Sequence, residues 1–180
     1  MAQTMRSIAT LETLLADNAS GQVSPQDLRD AVIATVIPGY GQMYISSSSE
    51  TTVSVQGTWY EVNGTYSLSD SSSNWSMGTN GRLGYGGAEA REVLVLASIS
   101  VTSAGSNIET EWAVAKNDTV STPSIVRRKI SAGSDVGAAA IVGHLDVSTN
   151  DYISLFCRNV DGTANLTADL ADLVVMDFAA

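Results

Sequence analysis

The stretch EVLVLASISV, residues 92–101, limits the folds open to this chain more than any other feature. A strand with one face in water alternates apolar and polar residues, but here the sequence from Val93 to Ala97 is apolar without a break. The segments AAAIV (138–142) and LVVM (173–176) have the same character. Strands of this kind are covered on both faces. A two-layer sandwich supplies only one cover, so the second is predicted to be another subunit, another protein or the N-terminal segment of the chain.

Other segments have one apolar and one polar face. NIETEWAVAK alternates apolar side chains with Glu109 and Glu111, and DYISLFCRNV alternates them with Ser154 and Arg158. The serine clusters SSSSE (46–50) and SDSSSN (69–74) are typical of loops. About nine strands of this spacing predict an all-β, antiparallel sandwich or barrel. The predicted strands read MYIS, TTVSVQ, GRLGYGG, EVLVLASISV, NIETEWAVAK, SIVRRKI, AAAIVGHLDV, DYISLFCRNV and LADLVVMDF.

Residues 1–40 differ from the rest and are interpreted as a partly helical N-terminal arm ahead of a β domain at 41–180. The segment VSPQDLRDAVIATVIPGYG begins with Ser24 as a helix N-cap and Pro25 at the first helical position. Its apolar residues fall four apart and form one stripe that needs a partner surface. The stripe consists of Leu28, Val32 and Val36.

Charge excludes several classes of partner. The chain has 9 basic and 19 acidic residues and a net charge of −10. Nucleic acid and anionic membranes bind basic patches, so neither is expected as a partner. No run approaches the ~20 apolar residues that a membrane span needs. The start of the chain lacks the pattern of a secretory signal, which predicts a protein made and kept in a cytosol.

No catalytic, cofactor or metal site is predicted. His144, the only histidine, shares a strand face with Asp146, but no GxSxG elbow supplies a nucleophilic serine, so an enzyme is not expected. Cys157 lies among apolar residues and is interpreted as a buried thiol. The segment NVDGTANLTAD lacks the spacing of a calcium loop and is interpreted as a hairpin loop.

Four aromatic residues of the serine-rich first third leave two interpretations open. Exposed rings there could stack on sugars, whereas packing over the open end of the sandwich would give them a structural role. These residues are Trp59, Tyr60, Tyr66 and Trp75.

The order of segments resembles the jelly roll of the C1q and tumour-necrosis-factor (TNF) superfamily. GRLGYGGAEAREVLVLASISV is similar to its Gly-rich turn and long apolar strand, and AVAKNDTV to its following hairpin. GAAAIVGHLDVSTNDYISLFCRN and LADLVVMDFAA are similar to its last strands, with Asn150 in place of a glycine. The resemblance covers residues 41–180. It implies a ten-stranded jelly roll whose inner sheet packs against neighbouring subunits around a threefold axis.

The resemblance thus implies a homotrimer, although the pattern alone would permit a dimer. In the strands that are apolar on both faces, the sequence does not decide which set of alternate residues faces the partner, because a shift of one residue exchanges the two sets. The predicted subunit-interface residues are Val93, Leu94, Val95, Leu96, Ala139, Ile141, Leu173 and Val175. A position of His144 near the axis would bring three imidazoles together; an ordinary surface or interface histidine is the alternative.

Bacteriophage structural proteins resemble the chain over more of its length, in SPQDLRDAVIATVIPGYGQMYIS and SIVRRKISAGSDVGAAAIVGHLDVSTNDYISLF. This implies a virion protein made in the cytoplasm of a host bacterium. The leading hypothesis is a trimeric capsid decoration (cement) protein that bridges capsomers, with the major capsid protein as partner. In this hypothesis the stripe of Leu28, Val32 and Val36 is the capsid-attachment surface. The alternative is a tail-fibre or spike head that contacts tail or fibre proteins and binds host surface glycan through the four aromatic residues.

Overall fold

The computed structural model describes residues 39–72, 74–131 and 135–178. The predicted arm therefore lies outside the described residues, apart from Gly39 and Tyr40. The attachment stripe of Leu28, Val32 and Val36 lies outside them as well, so its helix stays a prediction.

The described residues form strands and two short 3-10 turns, Thr79–Gly81 and Thr122–Ser124. Every strand pair is antiparallel. The all-β antiparallel class predicted from the sequence is therefore confirmed. The strands are β1 Tyr40–Ser48, β2 Glu50–Thr51, β3 Tyr60–Glu61, β4 Gly64–Ser71, β5 Trp75–Met77, β6 Leu83–Tyr85, β7 Arg91–Ser103, β8 Ile108–Lys116, β9 Thr119–Val120, β10 Val126–Ile130, β11 Gly137–Val147, β12 Tyr152–Asn159 and β13 Leu166–Asp177.

These strands make two packed sheets. Sheet 1 has the order β11-β7-β13-β1-β4, with β2 paired to β13. Sheet 2 has the order β10-β8-β12-β6-β5, with β3 paired to β12 and β9 to β8. The three segments that are apolar on both faces become β11, β7 and β13, which are neighbours in sheet 1. The pattern therefore identified one continuous surface rather than three unrelated strands.

Alternation along the strands places the core between the sheets. In β7 the odd-numbered residues from Val93 to Val101 are buried, and in β12 so are Ile153, Leu155 and Cys157. Trp112 of β8 fills the space between them. Each fully buried aliphatic side chain contributes about 1.5–3 kcal/mol relative to exposure, so this two-sided core is the main source of stability.

The sequence failed to predict β4, and it misplaced both serine clusters. Ser46 to Ser48 continue β1, and β4 runs into the second cluster as far as Ser71. Of the predicted strand TTVSVQ, only Thr51 lies in a strand. The physical reason is that β4 is an edge strand, held to β1 by backbone hydrogen bonds. Such a strand needs no apolar face, so the apolar pattern does not identify it.

Asn150 occupies a position that demands an unusual backbone. Its φ is +71°, in the left-handed region that glycine and asparagine tolerate best. The Asp151 carboxylate accepts the Ser148 N–H at 2.8 Å and closes the same turn. This explains why asparagine can stand where the superfamily pattern has glycine.

The first and last described strands begin and end together. The Gly39 N–H donates to the Asp177 carboxylate, and the Asp177 N–H donates to the Gly39 carbonyl at 2.8 Å. The antiparallel register places Arg91 at this same end of the sandwich, which is called the root end below. The opposite end, called the far end, carries Ser103 and Leu166.

Candidate assembly interface

The face of sheet 1 that points away from sheet 2 is called the free face. Because side chains alternate along a strand, each buried residue of β7, β11 and β13 is flanked by residues that point outward. The principal residues of the free face are Gln42, Tyr44, Leu94, Leu96, Ser98, Ser100, Ala138, Ala140, Val142, His144, Leu170, Asp172, Val174 and Met176.

The half of the free face nearer the root end is apolar. Leu96 lies between Val142 of β11 and Val174 of β13 in the strand register. In the next row, Leu94 lies between His144 and Met176. Leu96 is 36% exposed and Val142 59% exposed, so this apolar surface is open in the single chain. A contiguous exposed apolar patch of this kind marks an interaction surface.

The half nearer the far end is a shallow trough of about 690 Å³. Small side chains form its floor: Ser98, Ser100, Ala138 and Ala140. The larger side chains of Tyr44 and Leu170 also line it, and both are exposed. A concave surface with a small-residue floor can receive protruding side chains of a partner.

The charges on the free face are of one sign. Asp172 lies in the trough, where Gln42 Nε2 donates to both of its carboxylate oxygens at 2.9 Å. Glu92 and Asp146 lie at the root end. Among the described residues of this face there is no lysine or arginine. A partner that covers the trough would therefore be favoured by a donor or a cation placed beside Asp172.

The structure decides which alternate residues face outward. Val93, Val95, Ile141, Leu173 and Val175 are at most 1% exposed and point into the core between the sheets. Ala139 is half-buried and packs against that core. The outward residues of the predicted set are Leu94 and Leu96. The other six residues point toward the core, so the interface prediction is corrected by one residue at each of these positions. Side chains alternate along a strand, and it is the neighbours of these six residues that point outward.

The outer face of sheet 2 has a different character, because its charges pair with one another. Glu111 is 3% exposed and receives Arg127 Nη2 at 2.5 Å and Arg158 Nε at 2.6 Å. Burial alone would raise the pKa of Glu111, but the two guanidinium groups outweigh it and hold the pKa below its usual value. The Arg158 guanidinium also stacks on the Trp59 ring, 4.6 Å from its centroid.

A second network lies nearer the root end of sheet 2. Arg82 donates to Glu61 at 2.9 Å and to Asp118 at 3.0 Å, and it stacks on the Tyr152 ring. The Tyr152 hydroxyl donates to Asp118 at 2.7 Å. These groups satisfy each other at a wet surface, which contrasts with the uncovered apolar groups of the free face.

The four aromatic residues do not form an exposed sugar-binding cluster. Trp75 is buried against Tyr85, with ring centroids 5.1 Å apart, so it cannot stack on a ligand. The Tyr66 hydroxyl donates to the Val62 carbonyl at 3.0 Å, and burial raises the pKa of Tyr66. Tyr60 packs against the core, and Trp59 is covered by Arg158. All four rings therefore make their contacts within the protein itself.

The side chains considered for catalysis or metal binding lie apart from one another. His144 Nε2 lies 3.5 Å from Glu92 Oε2 on the neighbouring strand β7. Burial raises the pKa of the Cys157 thiol to about 12, which keeps it protonated and unreactive at neutral pH. In the NVDGTANLTAD loop, Asp161 accepts the Glu109 N–H at 2.8 Å. Within residues 39–72, 74–131 and 135–178, no three acidic, histidine or cysteine side chains are grouped to hold a metal ion, and no helix could cross a membrane.

Solved structures resemble this sandwich. Eiger TNF from S. frugiperda superposes with a TM-score of 0.50 at 11% identity, over 79% of this chain and 94% of that chain. The chain has a TNF-like jelly-roll fold. Murine APRIL at pH 5.0 superposes with a TM-score of 0.49 at 8% identity, over 77% of this chain and 98% of that chain. At such identities, likeness is informative about the jelly roll alone.

No protein-family model and no curated protein matches the sequence. The predicted jelly-roll fold is confirmed by the structure. The domain bounds of 41–180 stay a prediction, and the resemblance to phage proteins rests on the sequence segments given above.

Proposed function

We propose that this protein is a non-enzymatic virion component that acts as a homotrimer, most simply a capsid decoration protein. In this proposal the jelly roll forms the trimeric body, and residues 1–38 attach it to the major capsid protein. Its work is to bridge neighbouring capsomers and so stabilise the shell, which requires contact area rather than chemistry.

The free face of sheet 1 carries the proposal. Three adjacent strands present an apolar patch beside a trough, while the opposite sheet presents ion pairs that are already satisfied. Leu96, Val142 and Val174 gain by being covered, at about 25 cal/mol for each Å² of apolar surface removed from water. The number of copies rests on the resemblance to the superfamily, which supports three.

The attachment role of the arm is supported by its sequence and by its point of origin. The stripe of Leu28, Val32 and Val36 belongs to a predicted helix that would be too short to be stable alone in water, so it would need a docking surface. Gly39 is bonded to Asp177 at the root end, so residues 1–38 join the jelly roll there. The resemblance of the sequence to phage structural proteins supports the capsid as that surface.

A fibre head that binds glycan is the weaker proposal. It depended on an exposed set of aromatic rings, and the buried ring of Trp75 removes one of them. The remaining rings pack on the core or beneath an arginine.

The experiment compares the full chain with a chain that lacks residues 1–38. Both should have a light-scattering mass three times that of one copy, which is 18.8 kDa for the full chain. Only the full chain should co-sediment with phage capsids that lack the protein. The full-length variant Leu28→Asp with Val32→Asp removes the stripe without shortening the chain. It should also abolish co-sedimentation.

Each outcome bears on a different part of the proposal. A monodisperse wild-type monomer would contradict the trimer. A truncated trimer that still decorates capsids would place the anchor in the jelly roll. Full-length protein that binds no capsid would remove the decoration role while leaving the trimer intact.

A further inference from the structure

A second concave surface lies on the side of the sandwich where the chain crosses from β3 of sheet 2 to β4 of sheet 1. This pocket has a volume of about 380 Å³ and shares no residue with the free face. Val62 and Asn63 of the crossing line it, as do Glu50 and Thr51 of β2. Asn80, in the 3-10 turn before β6, lines it from the other direction.

The composition of the pocket indicates the kind of ligand that it fits. Seven of its nine lining residues carry polar side chains. Most pockets for small molecules have the opposite balance, with apolar walls and a few polar groups. The volume lies at the lower end of the range of about 300–1,000 Å³ that is typical of such pockets. A matching ligand is therefore small and polar over most of its surface.

Two hydrogen-bond acceptors of the pocket are held in place by bonds within the protein. Asn165 Nδ2 donates to Glu50 Oε1 at 2.6 Å, and Asn165 Oδ1 accepts the Val53 N–H at 2.9 Å. Glu50 Oε2 receives no hydrogen bond from the described residues. Asn63 Nδ2 donates to the Glu50 carbonyl at 3.1 Å, which leaves Asn63 Oδ1 as a second acceptor. Groups that are fixed before a ligand arrives bind it at a lower entropic cost.

An amide and an aromatic ring complete the pocket. Asn80 has a φ of +60°, and its amide makes no hydrogen bond to the described residues. Its turn is held because Gly81 lies so close to the Tyr66 ring that a Cβ there would overlap the ring. Tyr60 lines the pocket with a half-buried ring, and its hydroxyl accepts the Val55 N–H at 2.8 Å. A fixed ring of this kind offers apolar surface to the C–H face of a sugar.

Charge separates neutral ligands from anionic ones. No lysine, arginine or histidine is among the lining residues of the pocket. Arg82 neutralises Glu61 through Nε at 2.9 Å and Nη2 at 3.0 Å. Glu50, by contrast, is held by the amide of Asn165 and keeps its negative charge. An acidic sugar or a phosphate would be repelled by this carboxylate, whereas neutral hydroxyl groups would donate to it.

We propose that this pocket binds a neutral saccharide. Glu50 and Asn63 accept hydrogen bonds from sugar hydroxyl groups, the Asn80 amide bonds a further hydroxyl, and the Tyr60 ring packs against the sugar ring. Each of these bonds replaces a bond to water, so the dissociation constant is expected in the millimolar range. The site goes beyond the proposed function because each single copy contains all of it. It uses only Tyr60 of the four aromatic residues, so it does not depend on the fibre-head hypothesis.

Saturation-transfer NMR on the full chain, in buffer with EDTA, tests the proposal. The probes are D-glucose, D-galactose, D-mannose and N-acetyl-D-glucosamine, with N-acetylneuraminic acid as the anionic probe. The wild type should bind at least one neutral sugar and should not bind the anionic one. Glu50→Gln should weaken that binding about tenfold or more, because a charged acceptor is lost while an oxygen remains for Asn165. Asn80→Gly should weaken it about fivefold and still permits the positive φ.

Each variant has a matched control elsewhere on the surface. Glu89→Gln makes the same change at an exposed residue of the loop before β7. Asn107→Gly makes the same change at an exposed asparagine whose φ is +57°. Both controls should bind the sugar as the wild type does. Circular dichroism establishes that all four variants are folded.

Several results would overturn the saccharide site. These are a wild type that binds none of the four neutral sugars, binding that Glu50→Gln and Asn80→Gly leave unchanged, and equal loss in the control variants. A preference for N-acetylneuraminic acid would contradict the role given to Glu50. Binding that appears only without EDTA would assign the pocket to a cation instead. None of these results bears on the trimer or on capsid attachment, which are measured by light scattering and co-sedimentation.

Discussion

Leu96 of β7 and Val142 of β11 lie directly opposite each other on the free face of sheet 1. Both are open to solvent in the single chain, yet they stand among apolar neighbours. Leu96→Asp should therefore dissociate the assembly without unfolding the jelly roll, because its charge would be buried only in the trimer. Light scattering and circular dichroism measure the two effects separately.

Leu68→Asp is the matched control for that substitution. Leu68 is of the same residue type and 40% exposed, but it lies on the edge strand β4 away from the apolar rows. It should leave the mass unchanged. Equal loss of mass in both variants would mean that the free face has no special role.

Substitution of Val95 tests whether this residue points into the core rather than toward a partner. It is fully buried between the sheets, so Val95→Ala should lower the free energy of unfolding by about 2 kcal/mol through lost transfer energy and a residual cavity. Val55→Ala, at a position 58% exposed in a loop, should change it by less than about 0.5 kcal/mol. Urea unfolding measures both. A change in trimer affinity with no change in unfolding at Val95 would place its side chain in the interface after all.

Glu111 predicts an acid sensitivity. Its folded pKa lies below the unfolded value of about 4.3, so its stabilising contribution is full above that pH and is lost as the pH falls through the folded pKa. Glu111→Gln should cost about 2 kcal/mol at pH 7, because hydrogen bonds to charged groups are lost. Its unfolding free energy should also fall less steeply below about pH 4 than that of the wild type. An unchanged slope would show that other carboxylates control the acid transition; exposed Glu89→Gln is the control.

The turn at Asn150 distinguishes backbone strain from side-chain loss. Asn150→Gly should retain wild-type stability within about 0.5 kcal/mol, because glycine adopts a positive φ freely. Asn150→Val should destabilise by about 1–2 kcal/mol, since a β-branched residue is strained there. Thermal unfolding of the two variants measures the difference. Equal destabilisation by glycine and valine would instead assign the role to the asparagine amide.

The sequence predicted the strands β7, β11 and β13 of sheet 1 because both of their faces carry apolar side chains, which leaves an unbroken apolar run. It could not decide which alternate residues point away from the core, since Val95 and Leu96 are equally apolar and only the packing of sheet 2 distinguishes them. The edge strand β4 escaped prediction because its stability comes from hydrogen bonds to β1 rather than from apolar side chains.

The polar networks were hidden for a related reason. Glu111 follows the pattern of a solvent-facing residue, yet Arg127 of β10 and Arg158 of β12 cover it. Those partners are 16 and 47 residues away along the chain, so no local pattern contains the information. Trp75 is similar, because its serine-rich surroundings suggest exposure while Tyr85 across a strand pair buries it.

The pairing of Gly39 with Asp177 also determines which loops are available for engineering. The strand β13 runs from that pairing to Leu166, roughly 35 Å away at 3.3 Å per residue. The turn that contains Gly162 lies at this far end, and a side chain added there would meet nothing within 4 Å. A peptide epitope inserted at Gly162 would therefore lie at the end of the sandwich opposite Gly39, which makes this turn a suitable site for antigen display.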